Sequence, residues 1–554
     1  MRTEFPPNII PQDRVNNRSI LASAIRARTS GVNPGSDIVL QAKNLTITDG
    51  GQIINGALGE GAGGVLTIGV ADTVRLSGAV EFLNPRLLNR STISNATSGL
   101  GNAGELRITA RNVELLGGAE ISSKTLGKGI GNAGNVTIHA TENVTLSGIS
   151  TLKNPTVQNP NNVLEISSQI SSNAVELRGR NEESPLGSGG DIIVTAKTVT
   201  LKDGASVQTT SLGREATDAV NETVANTPEG LRPHAGNITI NADILTVSGA
   251  RTTGGNAGFS LLPSQIASGA TGPAGTGNIM VAAGEITIRD AAVITSEAES
   301  HTPDVQRGII ALTARENLKI YGGKISAQSS GSGNAGDIHL TAANTILLDG
   351  ATVTTEAAQA SGGNIKLTAQ DLIRLSNSTI SSSVEGDATT AGGNINVDPD
   401  FIVLQNSKIL AKAVQGQGGN ISLIANNAVL VDPLSVLDAS SALGVSGLVD
   451  IQAPIQNLSG TLAPLPEETV PVTALYGARC AAGAGGNFST FVDSKAGSLS
   501  PTPGAFLASP LLNLSALAHT VADRSPGQQG STIFTASIAP LVLGHAGEST
   551  TACP

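Results

Sequence analysis

The sequence predicts an all-β solenoid, a parallel β-helix with three short strands in each coil. Three observations support this fold class. A phrase such as "GNAGNVTIHATENVTLSG" (residues 131–148) recurs along the chain, its apolar residues alternate with polar ones, and aromatic residues make up only 2% of the 554 residues. A chain with few large rings and many short alternating runs is typical of a repeat structure filled by Val, Ile, Leu and Ala.

The repeat has an anchor residue just before each opening strand. Thirteen copies can be aligned on it, most of them 26 to 31 residues apart, with intervals of 40 to 56 residues in the first half. Stacked copies bury apolar faces that a single copy would expose. At the usual strand spacing of about 4.8 Å, the stack would be a rod on the order of 60 Å long. The anchors are Ser36, Gly64, Gly104, Gly134, Gly190, Gly236, Gly277, Gly308, Gly336, Gly363, Gly393, Gly419 and Gly447.

Each copy contains three alternating segments. In "GGNIKLTAQDLIRLSNSTISSS" (residues 362–383), the first segment places Ile365, Leu367 and Ala369 on one face. The second segment repeats the alternation at 373 and 375, and the third begins at 380. A period of two residues in short runs rich in Val, Ile and Thr indicates strands and not helices.

Glycine followed by Asn or Asp marks one corner of the coil. We expect the glycine to supply positive φ there and the Asn or Asp to bond local backbone. Stacking would align the asparagines as an amide ladder, and the alternative is a ligand-binding ladder. The predicted ladder consists of Asn135, Asn237, Asn278, Asn364, Asn394 and Asn420.

The long intervals predict loops that leave one edge of the coil just before the anchors. Segments such as "NEESPLGSGG" (residues 181–190) belong to this group. Excursions of this kind often gather on the binding face of a solenoid. Loops that have lengthened without any binding role explain the long intervals equally well, because a longer loop costs little free energy.

The segments outside the repeat differ from it in composition. Residues 1–35 are polar, contain proline and lack the apolar stretch of a secretory signal, so we expect an irregular N-terminal segment there. The β-helix is expected over residues 36–460. Residues 461–554 are expected to form a Pro/Gly/Ser-rich cap and tail, since proline would remove ladder donors. The sequence contains no run of about 18 apolar residues, so we expect no transmembrane helix.

The residues offer little for chemistry at a defined centre. A net charge of −11 without a basic stripe, and almost no aromatic platform, argue against nucleic acid as a partner. Asp398 and Asp400 flank Pro399, and a turn explains them better than an acid/base pair. His139 and His339 fall in separate coils as solvated side chains. No zinc or calcium spacing is present. We therefore expect no catalytic residue, no metal and no cofactor.

The chain has two cysteines, Cys480 and Cys553. So sparse a pair fits an extracellular protein that mostly avoids thiols. Two inert thiols and a Cys480–Cys553 disulfide both remain open, because the sequence does not place the two residues near each other.

The repeat and the tail together resemble the filamentous haemagglutinin-like exoproteins of two-partner secretion, in the long forms of cyanobacteria and environmental Gram-negative bacteria. The resemblance covers residues 36–512. It rests on coils that begin like "GGNIKL" and on "ALYGARCAAGAGGNFSTFVDSKAGSLSPTPGAFLASPLL" (residues 474–512). The second stretch is the more specific of the two.

The resemblance implies a right-handed parallel β-helix that an outer-membrane transporter barrel exports to the cell surface or the medium, where it acts in adhesion, aggregation or biofilm formation. Its partners would be a surface receptor or glycan, and self-association is expected at an uncovered first coil. The cysteine pair could tether the fibre to its transporter. Because the family's N-terminal secretion domain is missing, we expect a C-terminal part of a longer product. The alternatives are a self-assembling surface-layer or matrix protein and a β-helix polysaccharide lyase or hydrolase.

Overall fold

The structure, a computed structural model, describes residues 23–80, 89–126, 131–153, 163–175, 187–212, 233–255, 258–271, 274–299, 307–458 and 461–462. Within these ranges the chain forms strands and turns and no α-helix. Most strands pair in parallel with strands that come one repeat earlier and one repeat later. The prediction of an all-β chain with large parallel sheets is confirmed, and this pairing is consistent with a β-helix or solenoid.

The strands are short and follow one another closely along the chain. In chain order they are β1 (Ala24–Thr29), β2 (Ile38–Ala42), β3 (Leu45–Thr48), β4 (Gln52–Ala57), β5 (Leu66–Val70), β6 (Thr73–Ser77), β7 (Ala79–Val80), β8 (Asn89–Arg90), β9 (Thr92–Thr97), β10 (Leu106–Leu116), β11 (Glu120–Leu126), β12 (Val136–Ser147), β13 (Ile149–Lys153), β14 (Val163–Ser167), β15 (Gln169–Val175), β16 (Ile192–Thr195), β17 (Thr198–Lys202), β18 (Ser206–Leu212), β19 (Ile238–Asn241), β20 (Ile244–Ser248), β21 (Ala250–Gly255) and β22 (Gly258–Pro263). They continue with β23 (Gln265–Thr271), β24 (Ile279–Ala283), β25 (Glu285–Arg289), β26 (Val293–Glu299), β27 (Ile310–Ala314), β28 (Asn317–Tyr321), β29 (Lys324–Ser326), β30 (Ile338–Ala342), β31 (Thr345–Asp349), β32 (Thr352–Thr354), β33 (Ile365–Ala369), β34 (Leu372–Ser376), β35 (Thr379–Ser381), β36 (Ile395–Asp398), β37 (Phe401–Gln405), β38 (Lys408–Leu410), β39 (Ile421–Ile424), β40 (Ala428–Val431), β41 (Val436–Asp438), β42 (Val449–Gln452), β43 (Ile455–Leu458) and β44 (Thr461–Leu462).

These strands form three parallel ladders, and one pass of the chain through all three is called a coil below. The first ladder runs β2-β5-β10-β12-β16-β19-β24-β27-β30-β33-β36-β39-β42. The second ladder runs β3-β6-β10-β12-β17-β20-β25-β28-β31-β34-β37-β40-β43. The third ladder is a sheet of 14 strands, β1-β4-β9-β11-β15-β18-β23-β26-β29-β32-β35-β38-β41-β44.

Two strands serve two ladders. β10 and β12 are long, and their first halves pair in the first ladder while their second halves pair in the second. The register shifts between Ala110 and Asn112, where the strand bends from one ladder to the next. In the other coils a short turn makes the same bend. The first and second segments of a repeat are therefore one extended run with a corner in it.

The inward side chains of the three ladders form one aliphatic core. Ile365 and Leu367 of β33, Ile373 and Leu375 of β34, and Ile380 of β35 are all fully buried. Their equivalents in the coils above and below belong to the same cluster. The three-segment pattern read from the sequence is thus confirmed residue by residue for this coil, and the core repeats it along the stack.

Paired structure begins before the predicted boundary at residue 36. β1, within the stretch expected to be irregular, pairs with β4 from Ala24 opposite Gln52 to Thr29 opposite Ala57. β1 is therefore a third-ladder strand that precedes the first aligned anchor. At the other end, β44 pairs with β41, and residues 463–554 lie outside the described part of the chain.

The anchor glycines are required for a different reason from the one predicted. Positive φ occurs at the corner between the second and third ladders, for example at Asp203 and Gly204, and not at the anchors. An anchor lies against the anchor of the preceding coil: a Cβ on Gly363 would overlap the carbonyl group of Gly336. The close approach of two backbones, and not backbone conformation, excludes side chains there.

Candidate binding surfaces

The six asparagines predicted at one corner lie in one column beside the first ladder. Oδ1 of Asn364 accepts the backbone N–H of Asn394 at 3.0 Å, and Oδ1 of Asn394 accepts that of Asn420 at 2.9 Å. These bonds run from side chain to backbone of the next coil, whereas the prediction was an amide ladder. They satisfy backbone donors at a turn, where the regular strand pairing is interrupted. The other bonds of this kind come from Asn135, Asn237, Asn278 and Asn420.

Three aspartates complete the column and were left out of the predicted set. Oδ1 of Asp37, Asp191 and Asp337 accepts the backbone N–H of Val65, Asn237 and Asn364 respectively, at 2.7 to 2.8 Å. The position needs an acceptor oxygen, and a carboxylate supplies it as well as an amide does. At Asp191 and Asp337, the "GD" that replaces "GN" was the signal. This use of the side-chain oxygens favours a structural role for the column over a ligand ladder.

An inward column of hydroxyls ties the anchors to the third ladder. Oγ of Ser172 donates to the carbonyl of Gly134 at 2.8 Å and accepts the N–H of Gly190 at 3.0 Å. Thr209 in the next coil does the same for Gly190 and Gly236. Both hydroxyl residues are fully buried. Each of these two hydroxyls therefore links two successive anchors and has both a donor and an acceptor partner inside the protein.

Three antiparallel hairpins leave the stack at the corner between the second and third ladders. They are β7–β8, β13–β14 and β21–β22, and each follows a glycine with positive φ: Gly78, Gly148 and Gly249. The loops had been predicted just before the anchors, whereas the hairpins take part of the long intervals out at a different corner. The segments that do precede anchors, at 127–130, 176–186, 213–232, 272–273 and 300–306, lie outside the described residues, so the prediction for them stays open.

The hairpins occur on alternate coils, and the coils between them turn tightly. The tight turns are at Asp49–Gly50, Gly117–Gly118 and Asp203–Gly204. Two paired strands need about 10 Å, the height of two coils, so hairpins stacked along the axis fit on every second coil. Gly204 lies between two hairpins, because its Cβ position is 3.1 Å from Cγ2 of Ile149 and 3.5 Å from Cδ2 of Leu262.

A buried serine clamps the base of each hairpin. Oγ of Ser264 donates to the carbonyl of Ser248 at 2.7 Å and accepts the N–H of Gly204, in the preceding coil, at 3.0 Å. Ser168 and Ser91 make the equivalent pairs of bonds. All three serines are fully buried. Each hairpin is thereby fastened to its own coil and to the tight turn before it.

A buried carboxylate lies beneath the first two hairpins. Glu120 is on the outer face of β11 but is only 3% exposed. Arg90, at the end of β8, reaches its Oε1 at 3.1 Å, and Nζ of Lys124 reaches its Oε2 at 2.9 Å. Nε2 of Gln169 donates to Oε1 at 2.6 Å. Arg90 also donates to the carbonyl of Ser167 in β14 at 3.0 Å, so it connects both hairpins to the sheet.

The charges around Glu120 keep it ionised. Burial by itself raises the pKa of Glu120, but the charges of Lys124 and Arg90, with hydrogen bonds from Lys124 and Gln169, outweigh it and lower the pKa to about 2. Because this buried charge is paired and hydrogen-bonded, removal of one partner would leave an uncompensated charge inside the protein. No single repeat predicts this cluster, because its members come from three different coils.

The outer face of the third ladder is a polar surface in the coils without hairpins. Oε1 of Gln328 accepts bonds from Lys324 at 3.2 Å and from Ser326 at 3.0 Å, and its Nε2 donates to Glu356 at 3.2 Å. Oγ of Ser381 donates to Glu356 at 2.7 Å. The side chains bond across three coils, so this surface is organised along the stack.

The remaining predicted residues stand apart from one another. Asp398 ends β36 opposite Thr368, and Asp400 accepts a bond from Nδ2 of Asn426 at 2.9 Å in the turn. His139 and His339 lie on the first ladder in different coils. Among the described residues no group of three His, Cys, Asp or Glu could hold a metal, and none of the elements is a helix that could span a membrane. Cys480 and Cys553 lie outside the described residues.

Comparison of the chain with protein-family models, with curated proteins and with solved structures found no match.

Proposed function

We propose that this chain is a stretch of a filamentous haemagglutinin-like exoprotein, exported by an outer-membrane transporter barrel to the surface of a Gram-negative bacterium, where it makes adhesion, aggregation or biofilm contacts. In this proposal the three ladders wind as a right-handed parallel β-helix of about thirteen coils, in line with the thirteen aligned anchors. The resemblance of residues 36–512 to that family supports the class of protein.

The row of clamped hairpins is the observation that carries the adhesive role. Binding residues are commonly presented on loops that a rigid scaffold positions. Here the scaffold is a stack of ladders with a continuous aliphatic core, and each hairpin is fixed at its base by a buried serine. The arrangement holds three protrusions in fixed order along one corner, which suits contact with an extended or repetitive partner.

Removing the hairpins one at a time tests this role. Residues 249–263 are replaced by the two-residue Asp-Gly turn that the chain uses at Asp203–Gly204, and residues 78–90 and 148–167 are treated likewise. Binding of the purified chain to bacterial cells and to a panel of immobilised polysaccharides is then measured. The matched control is Thr246→Ala, on the outer face of the second ladder.

We expect the circular dichroism spectrum to stay β-type in each shortened chain, and binding to fall with each hairpin removed. Binding that survives the loss of all three hairpins would contradict the proposal. Ordered sheets formed by the purified chain would favour the surface-layer alternative. Release of reducing sugar from a polysaccharide, abolished by Asp398→Asn, would favour the enzyme alternative.

A further inference from the structure

The outer face of the third ladder carries no charge over three successive coils. The strands there are β15, β18 and β23, which pair in register. The coil before them carries Glu120 and Lys124 on this face, and the coil after them carries Glu297. Among the described strands of this ladder, no other three in succession have only uncharged outward residues. We call the following outward residues the neutral face: Gln169, Ser171, Asn173, Ser206, Gln208, Thr210, Gln265, Ala267 and Gly269.

Buried polar atoms without a hydrogen-bond partner in the protein are concentrated on the neutral face. Four of the nine such atoms among the described residues lie there. They are Oγ of Ser171, Oδ1 of Asn173, Oγ of Ser206 and Oγ1 of Thr210. Ser171 is 0% exposed and Ser206 is 2% exposed. An unpaired buried polar group costs free energy, so this face holds donors and acceptors that a bound partner would satisfy with a gain.

The neutral face is accessible along its middle and last strands. Gln208, Thr210 and Gln265 are partly exposed. Gly269 is in register with Thr210, and a Cβ on it would meet no heavy atom within 4 Å, so there is open space beside that threonine. The hairpins β13–β14 and β21–β22 lead directly into β15 and β23. The clamped bases of two hairpins therefore border the face.

We propose that the neutral face binds a neutral polysaccharide. The proposal rests on the adhesive function proposed above and names the class of ligand and its place beside the hairpins. A neutral sugar chain carries hydroxyl groups that each donate and accept, as do the hydroxyl of Ser171 and the amide of Gln208. Bonds to such a chain would satisfy the side chains that the fold leaves unpaired.

The same face suits other classes of ligand poorly. The backbone groups of β18 already pair with β15 and β23, so an extended peptide could not add to the sheet there. A sulfated or otherwise anionic chain is held by Arg and Lys, and the neutral face has neither. An apolar protein surface would leave its amides and hydroxyls without partners.

Affinity electrophoresis of the full chain tests the class of ligand. Native gels contain dextran, laminarin or galactomannan, which are neutral polysaccharides, and dextran sulfate is the charged counterpart of dextran. The proposal expects at least one neutral polymer to retard the chain, and more strongly than dextran sulfate does. Retardation by none of the three neutral polymers would overturn it. Retardation by dextran sulfate that equals or exceeds that of every neutral polymer would also overturn it.

Two substitutions test whether this binding takes place on the neutral face. Ser171→Ala removes an unpaired hydroxyl, so it should leave thermal stability unchanged or raise it, yet weaken binding about three- to tenfold. Gly269→Val fills the open space and should weaken binding about tenfold or more. Unchanged binding in either variant would overturn the proposal.

Matched controls lie on other parts of the ladders. Thr379→Ala is on the outer face of the third ladder, beyond the neutral face. Gly69→Val is on the outer face of the first ladder, where a Cβ would meet only Cγ of Gln41 at 3.9 Å. Both should bind as the wild type does, and a loss of binding in the controls equal to that in the test variants would overturn the assignment.

The hairpin deletions separate this inference from the adhesive function on which it rests. If the shortened chains lose binding to cells while Ser171→Ala and Gly269→Val keep it, the adhesive role of the hairpins stands and the neutral face is refuted. If neither set of changes affects binding to cells, both proposals fail.

Discussion

A substitution at an anchor glycine tests why the repeat requires glycine at its anchor position. In Gly363→Ala the new methyl group would overlap the carbonyl oxygen and carbon of Gly336, which are backbone atoms of the preceding coil. Backbone held by ladder bonds on both sides cannot move away as a flexible side chain could. We expect a loss of at least about 3 kcal/mol in unfolding free energy, the upper end of the usual overpacking range.

Two other glycines provide graded controls. A Cβ on Gly269, in the middle of β23, would meet no heavy atom within 4 Å, so Gly269→Ala should be neutral or stabilise by up to about 1 kcal/mol. Gly322 has equally open surroundings but a φ of +65°, so Gly322→Ala should cost about 1 kcal/mol from backbone strain alone. Gly363→Ala therefore reports the steric overlap, Gly322→Ala the backbone strain, and Gly269→Ala the conformational entropy of the unfolded chain.

Native-state hydrogen exchange is the assay, with the urea midpoint as a second measure. A stack of repeats need not unfold in one step, so exchange of individual ladder amides is more informative than a single global value. The amide of Ile365, which bonds to the carbonyl of Asn394 at 2.9 Å, reports on the affected coil. If Gly363→Ala is as mild as Gly269→Ala, the close-approach explanation of the anchors is refuted.

Three further predictions follow from the same contacts. Glu120→Gln should lower the unfolding free energy by about 3 kcal/mol or more, since it leaves Arg90 and Lys124 without their buried partner. The stability that ionised Glu120 contributes should be complete above about pH 4.5 and should disappear as the pH falls towards its folded pKa of about 2. Urea titrations of both chains across that pH range would measure this, and a pH-independent difference between them would contradict it. Asn394→Ala should cost about 0.5 to 1.5 kcal/mol, because it removes the acceptor of the exposed N–H of Asn420, whereas Asn394→Asp should cost little, as Asp337 suggests. Hydrogen exchange at the amide of Asn420 distinguishes the two variants, and equal effects would show that the acceptor oxygen is not what matters. Leu340→Ala should lower the unfolding free energy by about 2 to 5 kcal/mol, because it leaves a cavity in the core. Thr341→Ala, on the outer face of the first ladder, should change stability by less than about 0.5 kcal/mol. Similar effects of the two variants in thermal denaturation would refute the assignment of Leu340 to the inside and Thr341 to the outside.

The ladders could be predicted because each coil contains its own complete signal. The alternation at 365, 367, 373, 375 and 380 indicates which side chains face the core. Pairing each strand with the equivalent strand of the next repeat needs no further information. The serine clamps also had a local signal, since a serine stands just before the third segment in "STI", "SQI" and "SKI" at residues 91, 168, 264, 378 and 407. The asparagine column was found from the same kind of regularity, and its three aspartates were missed only because the set was limited to one residue type.

The contacts that depend on two or more coils could not be read from one phrase. Glu120 meets Arg90 from one coil and Gln169 from another, across irregular intervals that hide which residues become neighbours. The reason for the anchor glycines is likewise a contact between coils, and positive φ was the wrong local explanation for it. The hairpins lie at a different corner from the predicted one. A long interval between anchors shows that the chain leaves the stack, but it does not show at which corner.

Spin labels at equivalent positions of neighbouring coils would show whether the repeated phrases stack in register. The full chain with both cysteines replaced by alanine would carry Thr341→Cys with Thr368→Cys, which are direct partners in the first ladder, or Thr313→Cys with Thr368→Cys, which are two coils apart. Stacking in register should give strong spectral broadening, because the backbone positions are about 5 Å apart in the first pair and about 10 Å apart in the second. Spectra without spin–spin interaction in both pairs would contradict it.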